Sequence, residues 1–183
     1  IHLKPGKEIP IQRFHPWVFS GAIRKIAGNP ADGDIVQVFS ASKQLLGLGH
    51  FHHGSIAVRL LSFGPADLST PDFWQSKFET ALQLRKAAGL LAGSGTDCFR
   101  LVHGEGDGLS GLIVDIYGAT AVLQCHSIGM HRQRTLIAES LSATLGKRLL
   151  RVYDKSKDAL PQQYAEQVQN DYLLGNGDLP ADA

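Results

Sequence analysis

Apolar and polar residues alternate in three runs of the amino-terminal third, Ile35 to Ser40, Leu45 to Phe51 and Ile56 to Phe63. Val36 and Val38 share one face, as do Ile56, Val58 and Leu60, which is the period of two that half-buried strands require. Ser-Ala-Ser-Lys and His53-Gly54-Ser55 separate the runs and are of hairpin length, so a small meander or barrel is predicted. Before it, Pro5, Gly6 and Pro10 lie between Lys4 and Phe14 and leave room only for a short helix that begins late. A turn cluster, Gly28-Asn29-Pro30-Ala31-Asp32-Gly33, precedes the first strand.

The period then changes. Thr70-Pro71-Asp72 reads as a helix start: the threonine can accept from first-turn amides, proline fits the first helical position, and aspartate complements the positive end. Trp74, Phe78, Ala81 and Leu82 recur on one helical face up to about Leu91, with Lys77, Arg85 and Lys86 expected outside, and Gly93-Ser94-Gly95 as the stop. Phe99 to Val102, Leu112 to Ile116 and Ala121 to Cys125 read as strands, the last two hinged at Tyr117-Gly118. Met130, Ile137, Leu141 and Leu145 mark a helix that Gly146 ends, and Leu149 to Tyr153 is one more strand. From Asp154 onward the pattern is weakly periodic, broken by Gly175, Gly177 and Pro180. The second half is therefore strand, strand, strand, helix, strand.

With 183 residues, one large or two small domains are allowed. Hydrophobic residues at 43% against 19% charged exclude a disordered chain, because there is enough apolar surface to offset chain entropy. No apolar run approaches the roughly 18 to 20 residues of a membrane helix, and the amino end lacks the order of a signal peptide, so a soluble cytoplasmic protein is expected, with no membrane partner. Two cysteines, Cys98 and Cys125, without a Cys-x-x-Cys, support neither a disulfide scaffold nor a zinc ribbon. The net charge of +1 hides an asymmetry: residues 1 to 66 carry seven Lys or Arg against three acids, whereas Asp158 to Ala183 holds five acids and no base. A basic first third suits a polyanion, and the acidic tail reads as a connector.

Four motifs bear on chemistry. Gly106-Asp107-Gly108-Leu109-Ser110-Gly111 matches Gly-x-Gly-x-x-Gly, but a strand follows where the dinucleotide fingerprint needs a helix N-terminus, and Ala121 to Ala138 holds no acid for a ribose. These glycines are expected to serve backbone geometry. His50, His52 and His53 suggest a metal, but a third or fourth ligand is needed and no carboxylate or thiol is near in sequence, so partly exposed hairpin histidines are expected. A metal-dependent enzyme built on this hairpin is the weakest alternative. Cys125 and His126 are adjacent on a strand and point to opposite faces, while Cys98 beside Asp97 should have a raised pKa, so no nucleophile emerges. Arg13, His15, Trp17, Phe19, Arg24 and Lys25 mix cations with rings, the combination that holds phosphates and stacks bases. Composition alone equally allows Trp17 and Phe19 to anchor a core among solvated cations.

Two stretches carry a resemblance. Gln12-Arg13-Phe14-His15-Pro16-Trp17-Val18-Phe19-Ser20-Gly21-Ala22-Ile23 resembles the opening of the RNA-binding PUA domain of bacterial large-subunit rRNA cytosine-C5 methyltransferases. Arg100 to Gly118, containing His103-Gly104-Glu105-Gly106-Asp107-Gly108-Leu109-Ser110-Gly111, resembles the signature of that family's middle domain. Phe14 stands where an arginine is usual, Ser110 where a proline is, and Ile116 where a basic residue is.

The resemblance implies an α+β chain. Residues 1–67 would be a PUA-like small β-barrel, and 68–176 a small α/β middle domain of strand-strand-helix-strand order with a leading helix. Residues 177–183, from Gly177-Asp178-Leu179-Pro180, would link to a doubly wound catalytic domain. That domain, which binds S-adenosylmethionine and carries the catalytic cysteine, lies outside this chain, so no catalytic, cofactor or metal residue is carried over and the chain alone should bind rather than react. Arg13, Arg24, Lys25 and Arg59 would hold phosphates of RNA, chiefly rRNA, with His15 and Trp17 stacking on bases or bracing the cationic face. A homodimer is compatible with this reading. The alternative is a stand-alone PUA-type adaptor, which a reading frame stopping at Ala183 would favour.

Overall fold

The structure is a computed structural model and describes residues 1–91 and 95–177. Its first half comprises β1 (His2–Leu3), α1 (Ile9–Gln12), β2 (Trp17–Phe19), β3 (Ile23–Lys25), β4 (Ile35–Phe39), β5 (Leu45–Phe51) and β6 (Ile56–Ser62). They form one sheet of order β2-β6-β5-β4-β1-β3. The two outer strands of six, spaced about 4.8 Å apart, would lie about 24 Å from each other in a flat sheet. Phe19 and Ile23 end and begin those two strands, and four residues of chain reach about 14 Å at most. The sheet must therefore curl into a barrel, and Leu3, Ile11, Val18, Val38, Phe51, Val58 and Leu60 fill its interior. The expected meander is β4-β5-β6, antiparallel throughout. Strands β1 and β3 are too short for alternation to reveal.

The second half runs α2 (Pro71–Ala87), β7 (Cys98–His103), β8 (Leu112–Tyr117), β9 (Thr120–Cys125), α3 (Ile128–Arg132), α4 (Arg134–Leu145), β10 (Arg151–Asp154), α5 (Gln162–Ala165) and β11 (Asp171–Leu174). Its sheet has the order β11-β10-β9-β8-β7. The pairs β7-β8, β8-β9 and β10-β11 are antiparallel, and β9 and β10 are parallel because α3 and α4 form the crossover between them. Trp74, Phe78 and Ala81 of α2 and Ile137, Ala138 and Leu141 of α4 join Leu112, Val114, Leu123 and Val152 of the sheet in one core. Leu48 and Leu61 from the barrel join it too, so the barrel and the second sheet share apolar packing. Among the described residues no helix is long and apolar enough to cross a membrane.

Several expectations are corrected. Helix α2 stops at Ala87, because Gly89 adopts φ +79 just beyond it. Gly93 and Ser94 lie outside the described residues, as does 178–183 of the expected linker. Thr70 does not cap α2: its hydroxyl donates to the Asp67 carbonyl instead. Arg85 is not outside, since its guanidinium forms a bidentate pair with Asp107 at 2.5 and 2.6 Å. Lys77 is half-buried with its ammonium 5.7 Å from the centroid of Phe73. The single helix expected from Met130 to Leu145 is two, interrupted at Gln133 (φ −95°, ψ 4°). Strand β11 was not expected, because Asp-Tyr-Leu-Leu shows no alternation.

Candidate functional site

Register defines the site. Arg59 of β6 stands opposite Trp17 of β2 on one side and His50 of β5 on the other, so the three side chains project from the same face of the barrel, towards the second sheet. The Trp17 indole N–H donates to Glu105 Oε1 at 3.0 Å and lies 3.2 Å from Ser110 Oγ, and the Ser110 hydroxyl donates to the same carboxylate oxygen at 2.7 Å. The glycine-rich loop that supplies Glu105 and Ser110 is a 3-10 turn at Gly104–Asp107 followed by Gly108 and Gly111 at φ +67 and +86. It leads directly into β8, as expected, and not into a helix, so it is not a loop of the dinucleotide-binding type.

Between barrel and loop lies a cleft of about 350 Å³ lined by Trp17, Arg59, His103, Glu105, Gly111 and His126. Burial lowers the Arg59 pKa and the charge of Glu105 works against that, leaving the group a cation. No described residue hydrogen-bonds its guanidinium. Burial alone would raise Glu105, but hydrogen bonds from Ser110 and Trp17 and the charge of Arg59 outweigh it and hold the carboxyl below its ordinary value. Burial pushes His126 below the usual imidazole value against the pull of Glu105, so it is neutral at pH 7. A cation, an ionised carboxylate that interacts with it and a neutral imidazole thus face one cleft.

Beneath it the barrel is pinned to the second half by a chain of hydrogen bonds. Gln133 donates its Nε2–H to the Leu68 carbonyl at 2.9 Å, which turns its Oε1 towards His50 Nε2, also at 2.9 Å. His50 therefore donates from Nε2, and its buried Nδ1 carries a lone pair without a hydrogen-bond partner. The ring rests on Gly129, where a Cβ would stand 2.3 Å from His50 Cγ.

The expected RNA-binding residues divide. His15 is exposed and lies edge-on to Trp17, their centroids 5.9 Å apart, and Phe19 contacts both rings. Arg13 is exposed at the end of α1. Trp17 is half-buried and its N–H is already engaged, so the ring is held in place and only its face and edges remain for a ligand. Arg24 and Lys25 are exposed on β3 and line a different groove, with His52, His53 and Gly54 of the β5–β6 turn. Glu105, Ser110 and His126 were not anticipated. Trp17 and Glu105 are 88 positions apart, and nothing local in either sequence signals the contact.

The three histidines are not one cluster. His50 is buried, correcting the expectation of partial exposure, because Gln133 satisfies its Nε2. His52 and His53 instead approach Asp32, at 3.1 and 2.6 Å, and Tyr164 donates to the same carboxylate. Burial would raise Asp32, but the hydrogen bonds of Tyr164 and His53 and the charge of His52 bring it down to about 2. Among the described residues no group of three His, Cys, Asp or Glu could hold a metal ion. Burial pushes the Cys125 thiol up to about 12, and Asp97 raises that of exposed Cys98, so neither is a thiolate at neutral pH.

An α+β chain with a small barrel, a second five-stranded sheet and between them a cleft that holds the opposite charges of Arg59 and Glu105 is the class defined by these features. Residues 1–63 match the model of the PUA-like domain. The chain is similar to ribosomal RNA large subunit methyltransferase I from Alteromonas mediterranea, 34% identical over 155 residues that cover 84% of this chain and 38% of the relative. The same enzyme from Pseudoalteromonas atlantica is 31% identical over 181 residues, covering 98% of this chain and 44% of that one. A solved Streptococcus mutans structure described as a SAM-dependent methyltransferase shares the fold with a TM-score of 0.76 at 19% identity, over 98% of this chain and 44% of that one. This chain spans less than half the length of these proteins.

Proposed function

We propose that this chain is the RNA-recognition portion of a SAM-dependent rRNA cytosine-C5 methyltransferase. Residues 1–67 form the PUA-like domain, 68–176 the middle domain and 177–183 the approach to a catalytic domain. Binding of S-adenosylmethionine and cysteine chemistry belong to that further domain, in the cytoplasm; the loop from Gly106 to Gly111 runs into strand β8 and not into the helix that follows a dinucleotide-type glycine loop. The observation that supports recognition best is Arg59, a cation whose guanidinium no described residue hydrogen-bonds, beside the Trp17 ring at the cleft of a PUA-like domain. Arg13, Arg24 and Lys25 extend the cationic surface around the barrel.

Four phosphate contacts give a log–log salt slope of about −3, so RNA affinity should fall about fifty-fold between 50 and 200 mM salt. Titration of a structured rRNA fragment at several salt concentrations measures it. Arg13→Gln or Lys25→Gln should each weaken binding across sequences and flatten the slope by about one. A salt-independent affinity, or none, would remove the proposal.

A further inference from the structure

Phe14 combines a left-handed backbone with an exposed aromatic ring. Its backbone lies at φ +62, a left-handed conformation that is an outlier for a bulky residue and is ordinarily given to glycine or asparagine. That geometry is fixed by the end of α1, where Phe14 N–H donates to the Ile11 carbonyl at 2.8 Å and His15 N–H to the Pro10 carbonyl at 2.9 Å. Yet the side chain is 73% exposed, so little burial offsets the strain. Its ring meets Phe63 edge-on, with centroids 5.3 Å apart, and Phe63 is itself 37% exposed. The two rings brace each other on the surface, not in the core.

The surroundings indicate the occupant. Arg13 precedes Phe14 on an exposed turn, and His15 follows it, also exposed and touching Trp17 and Phe19. Rings held outward beside a cation, Arg13, match what an unpaired nucleobase needs, a flat face for stacking and a charge for the flanking phosphate, whereas a base inside a duplex has no free face. We infer that Phe14, braced by Phe63, is a stacking platform for a single unpaired base of the bound RNA. This rests on the RNA-recognition reading and adds to it the kind of nucleotide recognised and a residue to recognise it.

The test uses an RNA hairpin carrying 2-aminopurine in its loop, with a second hairpin carrying it in the stem as control. Native protein should quench the loop probe and leave the stem probe unchanged. Phe14→Gly, which suits the left-handed backbone, should keep or raise the melting temperature, lose the quenching and bind the loop about tenfold more weakly. Phe14→Trp should restore both readouts, and Phe14→Leu should restore neither. Phe14→Gly binding and quenching like the native chain, while Arg13→Gln and Lys25→Gln still weaken binding, would overturn the platform and leave RNA recognition standing. A fall in melting temperature in Phe14→Gly would overturn it too, by showing that the ring serves folding. Absence of RNA binding by the native chain would instead remove the recognition reading itself.

Discussion

Replacing Trp74 with alanine should cost about 3–5 kcal/mol of stability, the usual toll for removing a large aromatic from a packed core. Trp74 is fully buried on α2, edge-on to Phe73, and its indole N–H donates to the Leu68 carbonyl at 3.0 Å. That carbonyl also accepts from Gln133, which in turn holds His50 of the barrel. The indole thus fills the core of the second half and fixes the connection by which the barrel is attached to it. Urea unfolding measures the loss, and Trp74→Phe, which retains most of the volume but not the N–H, should lose less. An alanine variant within 1 kcal/mol of the native chain would mean that this packing is not tight.

Acidification should destabilise the protein before its carboxylates titrate. Burial is the largest influence on His50 and lowers its pKa from 6.5 to about 4, with Gln133 opposing and Arg132 and Arg59 adding to the shift. Because the folded value lies below the unfolded one, the unfolded chain binds the proton first as pH falls. Stability present above 6.5 is therefore lost between 6.5 and about 4, by about 3 kcal/mol at 1.36 kcal/mol per pKa unit. Asp32 contributes in a lower window, because its stabilisation persists above the ordinary aspartate value of 3.8 and is lost only as pH falls towards about 2. His126, also lowered by burial, acts in the same direction as His50 and less, being only partly covered. Urea midpoints at pH 7 and pH 4 test this. The native chain should lose most of the expected amount and His50→Gln distinctly less, and equal losses would assign the effect to other groups.

The register of Trp17, Arg59 and His50 could be anticipated only in part. Alternation placed β4, β5 and β6 correctly, because a period of two survives wherever one face of a strand is buried, and the hairpin-length connections set their order. The same logic sends Cys125 and His126 to opposite faces, and the structure buries the thiol while His126 lines the cleft. Helix α2 began where Pro71 and Asp72 indicated. Its end and the exposure of Arg85 did not follow, since a helical face records hydrophobicity but not which charge lies opposite, and Asp107 comes from a loop 22 positions away.

Gln133 shows the other side of the division. A polar residue amid a periodic apolar stretch reads as an exposed helical position, but here it breaks the helix and spends both ends of its amide on Leu68 and His50. Glu105 and Asp32 likewise acquire their roles only when the chain brings them to Trp17 and to His52 and His53. By itself the sequence determined strands β4 to β10, the start of α2, the inertness of both cysteines and the basic character of the first third, since each depends on neighbours a few positions away. Tertiary structure alone decided which polar groups meet across the two sheets, and hence where the cleft lies and which cation and carboxylate face each other in it, because those contacts are set by the packing of buried apolar faces and leave no local trace.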